Sequence, residues 1–273
     1  MVGFAESTVD LGYFEFHPHF DVWGVALAVV GGYAYGIRRL WARYAPRGEP
    51  AVTGWQMVSF GAGVLAFLVV AGWPFHDIGE QSLFTFHMIE HMALALVVPP
   101  LLLLGTPWWL LRLVVLPVLP ALRLLTKPLV ALVLFNAVLA FLHWPTAVEL
   151  MLTSGGFHLF AHLALAVTAT LMWWPVIGPI PDLPRLSPFG SMGYLFLQSL
   201  VPTVPASFLT FASEPVYAVY EGLPRLWGLS VLTDQLVAGL IMKLGGGVIL
   251  WTAIGIVFFR WAAEEQRHAP ASP

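Results

Sequence analysis

His87-Met88-Ile89-Glu90-His91-Met92 places two imidazoles four residues apart inside an apolar run, and His158 and His162 repeat that spacing at the start of another. Residues four apart share one face of a helix. Imidazole suits copper and zinc, and thioether sulfur, being soft, favours Cu(I). Met88 and Met92 each follow a histidine; on a helical wheel Glu90, His87, His91 and Met88 form one broad arc, with Met92 farther round. The chemistry this points to is a metal or cofactor site between two helices. A plainer alternative is that both pairs hydrogen-bond to neighbouring helices and hold a bundle together. Spacing alone does not separate the two.

The elements that carry these residues must be membrane spans. Of 273 residues, 59% are hydrophobic and only 10% are charged, where a soluble domain carries about 25% charged residues. With a net charge of −3, no basic domain points to a nucleic-acid partner, and none is expected. Cysteine is absent, which removes disulfides, thiolate ligands and cysteine catalysis and leaves the redox compartment open. The first 21 residues hold Glu6, Asp10, Glu15 and Asp21 but no Lys or Arg, unlike the start of a cleavable signal peptide.

A span needs about 20 mainly apolar residues. Seven are expected, at 22–40, 55–73, 83–104, 129–143, 155–176, 190–211 and 231–259, forming a single all-α, polytopic seven-helix bundle over 1–273. The proline-rich segment 107–127, with Arg112, Arg123 and Lys127, reads as lying on the membrane surface at the cytoplasmic side. Ten of the twelve cationic side chains follow spans one, three, five and seven; the alternate loops hold only Arg225, and Lys243 lies within a span. The positive-inside rule then puts the N-terminus (segment 1–21) outside and the C-terminus inside, with 262–273 as a disordered cytoplasmic tail. In that orientation every histidine except His268 falls in the external half.

Other polar residues need accounting. Asp234, near the external end of the last span, is either an auxiliary ligand or acceptor for a ligand imidazole or an ordinary helix N-terminal carboxylate. His76 and His143 are candidate ligands or interfacial residues. His17 and His19 are a surface pair or a capturing arm. Asn136, Gln198 and Lys243 form a deeper polar layer. A central lysine costs roughly 3 kcal/mol on insertion scales, so this layer is read as a hydrogen-bonded knot, with an ion path or an anion anchor as alternatives. Gly245-Gly246-Gly247 allows close approach or a local break, and Pro202 and Pro205 should kink span six.

These residues resemble a known family. The run 87–107, HMIEHMALALVVPPLLLLGTP, has the paired histidines, the Pro99-Pro100 doublet and the Leu-Gly-Thr-Pro exit of the multi-spanning cytochrome c oxidase assembly factors, the CtaG proteins of caa-type oxidases. Trp73-Pro74-Phe75-His76, His158-x-x-x-His162 and Trp173-Trp174-Pro175-Val176-Ile177-Gly178 also fit, and the likeness extends over about 55–243. The resemblance implies maturation of a haem-copper oxidase in a bacterial plasma membrane. It also implies supply of copper to an oxidase subunit carrying a copper centre, with His76, His87, His91, His158 and His162 as metal ligands. The chain has no Cys-x-x-x-Cys or Met-rich copper-carrier motif.

Four functions therefore compete. The first is a copper-binding assembly factor without turnover chemistry. The second is a zinc-dependent intramembrane hydrolase with Glu90 or Asp234 as base, and the third a haem protein with imidazoles on facing helices. The fourth is a copper transporter, which the lack of histidines in the cytoplasmic half of the bundle disfavours. The expectation is the first, with His87, His91, His158 and His162 as principal ligands.

Overall fold

The computed structural model describes residues 15–183 and 185–268, and over these the chain is helical with no strands. Among the described residues, seven helices are long and apolar enough to cross a membrane. In chain order, α1 is Phe20–Tyr44, α2 Gly54–Val70, α3 the short Phe75–Gln81, and α4 and α5 are Phe84–Leu96 and Val98–Gly105. Trp108–Val115 (α6) and Leu119–Leu125 (α7) follow, then Pro128–Leu142 (α8), Pro145–Thr153 (α9) and Gly155–Ile177 (α10). Pro188–Leu200 (α11) and Thr203–Phe211 (α12) break at Pro202, and α13 is Val231–Arg267 with a π-turn at Ile241–Gly245.

The membership of the seven differs from the sequence reading at one place. Residues 108–125 qualify by length and apolarity, whereas the expected span 129–143 is the 15-residue helix Pro128–Leu142, which turns through 71° into α9. Trp144-Pro145 explains the bend: a residue before proline is pushed out of the α region, and Trp144 is extended. Segment 108–125 starts where Trp109 donates to Ala51 O (3.2 Å) and Arg112 pairs with Asp182. The helix after it, α8, ends at His143, whose carbonyl accepts from Tyr217 at the opposite, histidine-bearing end. Both ends of 108–125 therefore lie at the end away from the histidines. The final helix runs through Arg267, so residues 262–267, expected to be disordered, form its last turns. The first 14 residues and 269–273 lie outside the described residues.

Prolines shape the central span. Pro99 has no N–H to offer Ala95 O, and the helix breaks at Val97 between α4 and α5. The freed carbonyl accepts from Trp173 Nε1 at 3.1 Å, so the break is satisfied by a neighbouring helix, as an apolar surround demands. At the foot of α5, Gly105 lets α2 approach: a Cβ there would lie 2.3 Å from Phe60 N. Large apolar side chains such as Leu27, Leu65, Phe208 and Phe259 face outward, while Glu90, His87, Gln198 and Asp234 are buried. Polar groups inside and apolar groups outside is the arrangement lipid imposes.

Candidate metal centre

Three elements meet at the histidine end. Helix α3 presents His76 and Glu80, four apart and so on one face. It lies directly on α4 because residue 79 is glycine: a Cβ there would stand 2.8 Å from His87 N. Helix α4 brings His87, Glu90 and His91, and its first turn is held by Asp234, which accepts from Phe84 N (2.8 Å) and Thr85 N (2.9 Å). Those are orphan donors of a helix N-terminus, where a carboxylate is favoured. Arg225 Nη2 donates to the same carboxylate at 2.7 Å. Helix α10, capped by Ser154, supplies His158 and His162.

Two carboxylates cross-link four imidazoles. Glu80 accepts from Nδ1 of His87 at 3.0 Å and lies 3.2 Å from Nδ1 of His158. Glu90 accepts from Nδ1 of His76 at 2.9 Å and lies 3.8 Å from Nδ1 of His162. The rings pack closely: centroids are 4.1 Å apart for His87 and His91, 4.3 Å for His158 and His162, and 5.2 Å for His91 and His162. His76 sits 5.1 Å from His158 and 5.9 Å from His162.

Nε2 of His87, His91 and His162 is buried and has no hydrogen-bond partner. A buried polar atom left unpaired costs about 1–3 kcal/mol. Three on adjacent rings leave unused donor nitrogens side by side. At His87 the pattern matches metal-binding histidine, in which one nitrogen is held by a carboxylate, here Glu80, and the other takes the metal. Among the described residues, the donor atoms of His76, Glu80 and His158 converge, all within 4.8 Å of one another. That set fits a metal ion by geometry, and the unpaired nitrogens of the buried trio adjoin it.

Of the residues singled out from sequence, His76, His87, Glu90, His91, His158 and His162 come together. Asp234 does not join them, since its oxygens are occupied by the α4 backbone and Arg225. Met88 is 1% exposed and packed in the apolar core, and Met92 packs beside it with its Cε against Gly246. His143 gives its Nδ1–H to Leu139 O at 2.7 Å. In the deeper layer, Asn136 donates to Gln198 (2.6 Å), Gln198 to Tyr194, and Tyr194 to Met172 O. Lys243 stands apart from that chain, 3.5 Å from Ser207 Oγ and over the Phe211 ring. It shares with Gln198 and Met92 a small cavity below the histidines.

Sequence reasoning missed Glu80, Asp77 and Gly79. The signal for Glu80 was its spacing, His76-x-x-x-Glu80, in a segment too short to stand out as helix. Asp77 is buried and accepts from His19 Nε2 at 2.8 Å. Over this end folds the loop 212–230. Tyr220 donates to Gly79 O (3.1 Å) and Tyr217 to His143 O (2.9 Å). Burial raises both phenol pKa values, with the Glu80 and Asp234 carboxylates adding to it at Tyr220, so both hydroxyls stay protonated donors.

A family model described as cytochrome c oxidase caa3 assembly factor matches residues 31–264. An uncharacterized protein of Mycobacterium bovis and one of Mycobacterium tuberculosis are each 27% identical over 273 aligned residues, which take in 90% of this chain. The chain spans 39% of the length of each of those relatives. No solved structure matches it.

Proposed function

The chain belongs to the cytochrome c oxidase caa3 assembly factor family, and from that premise we propose that it carries copper as cargo. In this reading the imidazole–carboxylate cluster holds the ion and passes it to an oxidase subunit with a copper centre. The supporting observation is the trio of buried, partnerless Nε2 atoms on His87, His91 and His162. His76 and His158 flank them as further ligands. Glu80 and Glu90 fix the ring orientations, and no thiolate competes. The excess of cationic residues at the other end supports an orientation with this end at the outer face of a bacterial plasma membrane, where a partner subunit can dock. Residues 108–125, both ends at the other side, then lie on the cytoplasmic surface.

Copper fits better than the alternatives. A hydrolytic zinc site needs a carboxylate free to act as base beside a metal-bound water. Here Glu80 and Glu90 are each engaged by two imidazoles. A haem needs a porphyrin plane between two axial rings, whereas His91 and His162 meet edge to face at 5.2 Å among other imidazoles. Hand-over is ligand exchange: no bond to carbon is made or broken, and the ion moves from these nitrogens to those of the acceptor.

The test is copper content of detergent-purified protein loaded anaerobically with Cu(I). Wild type is expected to hold copper near stoichiometrically, and the His87→Ala/His91→Ala variant to lose it while eluting as the same species. Equal copper in both refutes the inner site. Preferential retention of Zn(II), or a Soret band, turns the assignment to zinc or haem.

A further inference from the structure

The described part of the N-terminal segment lies against the cluster. His19 Nε2 donates to Asp77 Oδ2 at 2.8 Å, and His17 Nδ1 is 3.8 Å from Asp77 Oδ1. Asp77 and His76 are neighbours on α3 with opposite allegiances: Asp77 faces the N-terminal segment and His76 faces Glu90. The His19 ring stands edge-on to His76, with centroids 5.1 Å apart. Side-chain exposure falls along this line, from 51% at His17 to 21% at His19, 16% at His76 and 2% at His87.

The imidazoles thus form an unbroken series from the surface to the buried trio. From His19 to His76, His158, His162, His91 and His87 the centroid steps are 5.1, 5.1, 4.3, 5.2 and 4.1 Å. Imidazole nitrogen binds such metals at ~2 Å, so rings at these separations are able to share one ion. A metal could then pass from ring to ring by gaining a ligand before losing one, without a free ion in the membrane. A pair of histidines serving only to brace the terminus has no need of that continuity.

We propose that His17, His19 and Asp77 form an exchange port through which the metal ion passes between the surface and the buried imidazoles. This rests on the copper-carrying reading and goes beyond it by assigning the route. His17 and His19 are transient ligands. Asp77 positions His19, and its negative charge draws a cation toward the opening. Because a port lowers the barrier in both directions, it changes rates of uptake and release alike and leaves the equilibrium unchanged.

The experiment follows Cu(I) uptake by stopped flow, and Cu(I) loss to a soluble chelator, in wild type, His17→Ala/His19→Ala, Asp77→Asn and His19→Gln. Glutamine keeps an N–H for Asp77 but is a poor copper ligand, so it separates docking of the terminus from ligation. The proposal expects uptake and release both to slow by a common factor of about tenfold or more in all three variants, with copper at saturation unchanged. Unchanged rates overturn it, and so does wild-type speed in His19→Gln alone. Loss of bound copper at saturation would make these residues ligands of the resting ion, which also overturns it. Wild type that takes up no copper overturns the parent reading as well, which tells the two failures apart.

Discussion

At the residue scale the proposed centre turns on Glu80 and Glu90, each of which lies within 4 Å of Nδ1 of two imidazoles. Glu80→Gln should release His87 and His158, and Glu90→Gln should release His76 and His162. Carboxylates behind ligand histidines contribute 10–100-fold to metal affinity. Each change is therefore expected to weaken Cu(I) binding by roughly that factor in a chelator competition, with the helical circular dichroism unaltered. The histidines were legible because their four-residue spacing survives in one dimension. Glu80 was legible only in hindsight, since α3 has fewer than two full turns. Asp234 was placed at the right end of the bundle with an open role, and that role became visible only through contacts with Phe84 and Thr85.

At the scale of elements, the centre depends on how α3, α4 and the loop 212–230 are tied together. Asp234→Ala removes the cap on α4 and leaves Arg225 without its carboxylate. About 2 kcal/mol of stability is expected to be lost, seen as a fall of a few degrees in the thermal midpoint in detergent. Gly79→Ala drives a methyl group into the His87 backbone, so α3 must move off α4. It should cost about 1–3 kcal/mol and lower copper occupancy without touching a ligand. At the opposite end Asp182 has its pKa lowered by the Arg112 guanidinium beside it. The pair's contribution is complete above the ordinary carboxylate pKa and lost as the pH falls through the lower folded value. Acid should therefore loosen this contact in wild type, and Asp182→Asn should remove that pH dependence from the stability curve. The break at Val97 was not foreseen, although Pro99-Pro100 announced it. The sharp turn after His143 was concealed because an apolar run looks the same whether straight or bent.

Taken whole, the molecule segregates its chemistry, with imidazoles at one end and most cations at the other. Composition alone made the membrane setting and the helical class legible, because hydropathy over 20 residues is a one-dimensional property. For 108–125 the prolines carried the surface reading, since by length and apolarity alone the segment qualifies as a crossing helix. The absence of cysteine makes orientation directly measurable. Glu149→Cys, exposed on α9, should react with an impermeant maleimide in intact cells, and Arg47→Cys and Arg123→Cys only after the membrane is opened. Labelling in the reverse sense would put the histidines inside and end the proposed docking with an external copper centre.

The cap on the histidine helix is 150 residues downstream of it in the chain. Translation at roughly 5–20 residues per second separates their synthesis by about 8–30 s. For that interval α4 is made but uncapped, and His158 and His162 arrive only partway through it. Seating of α4, and with it assembly of the proposed centre, is thus a late event in biogenesis, completed when Asp234 on the last helix reaches Phe84. Nascent chains arrested before that helix would carry every histidine of the cluster and still lack the latch that seats α4.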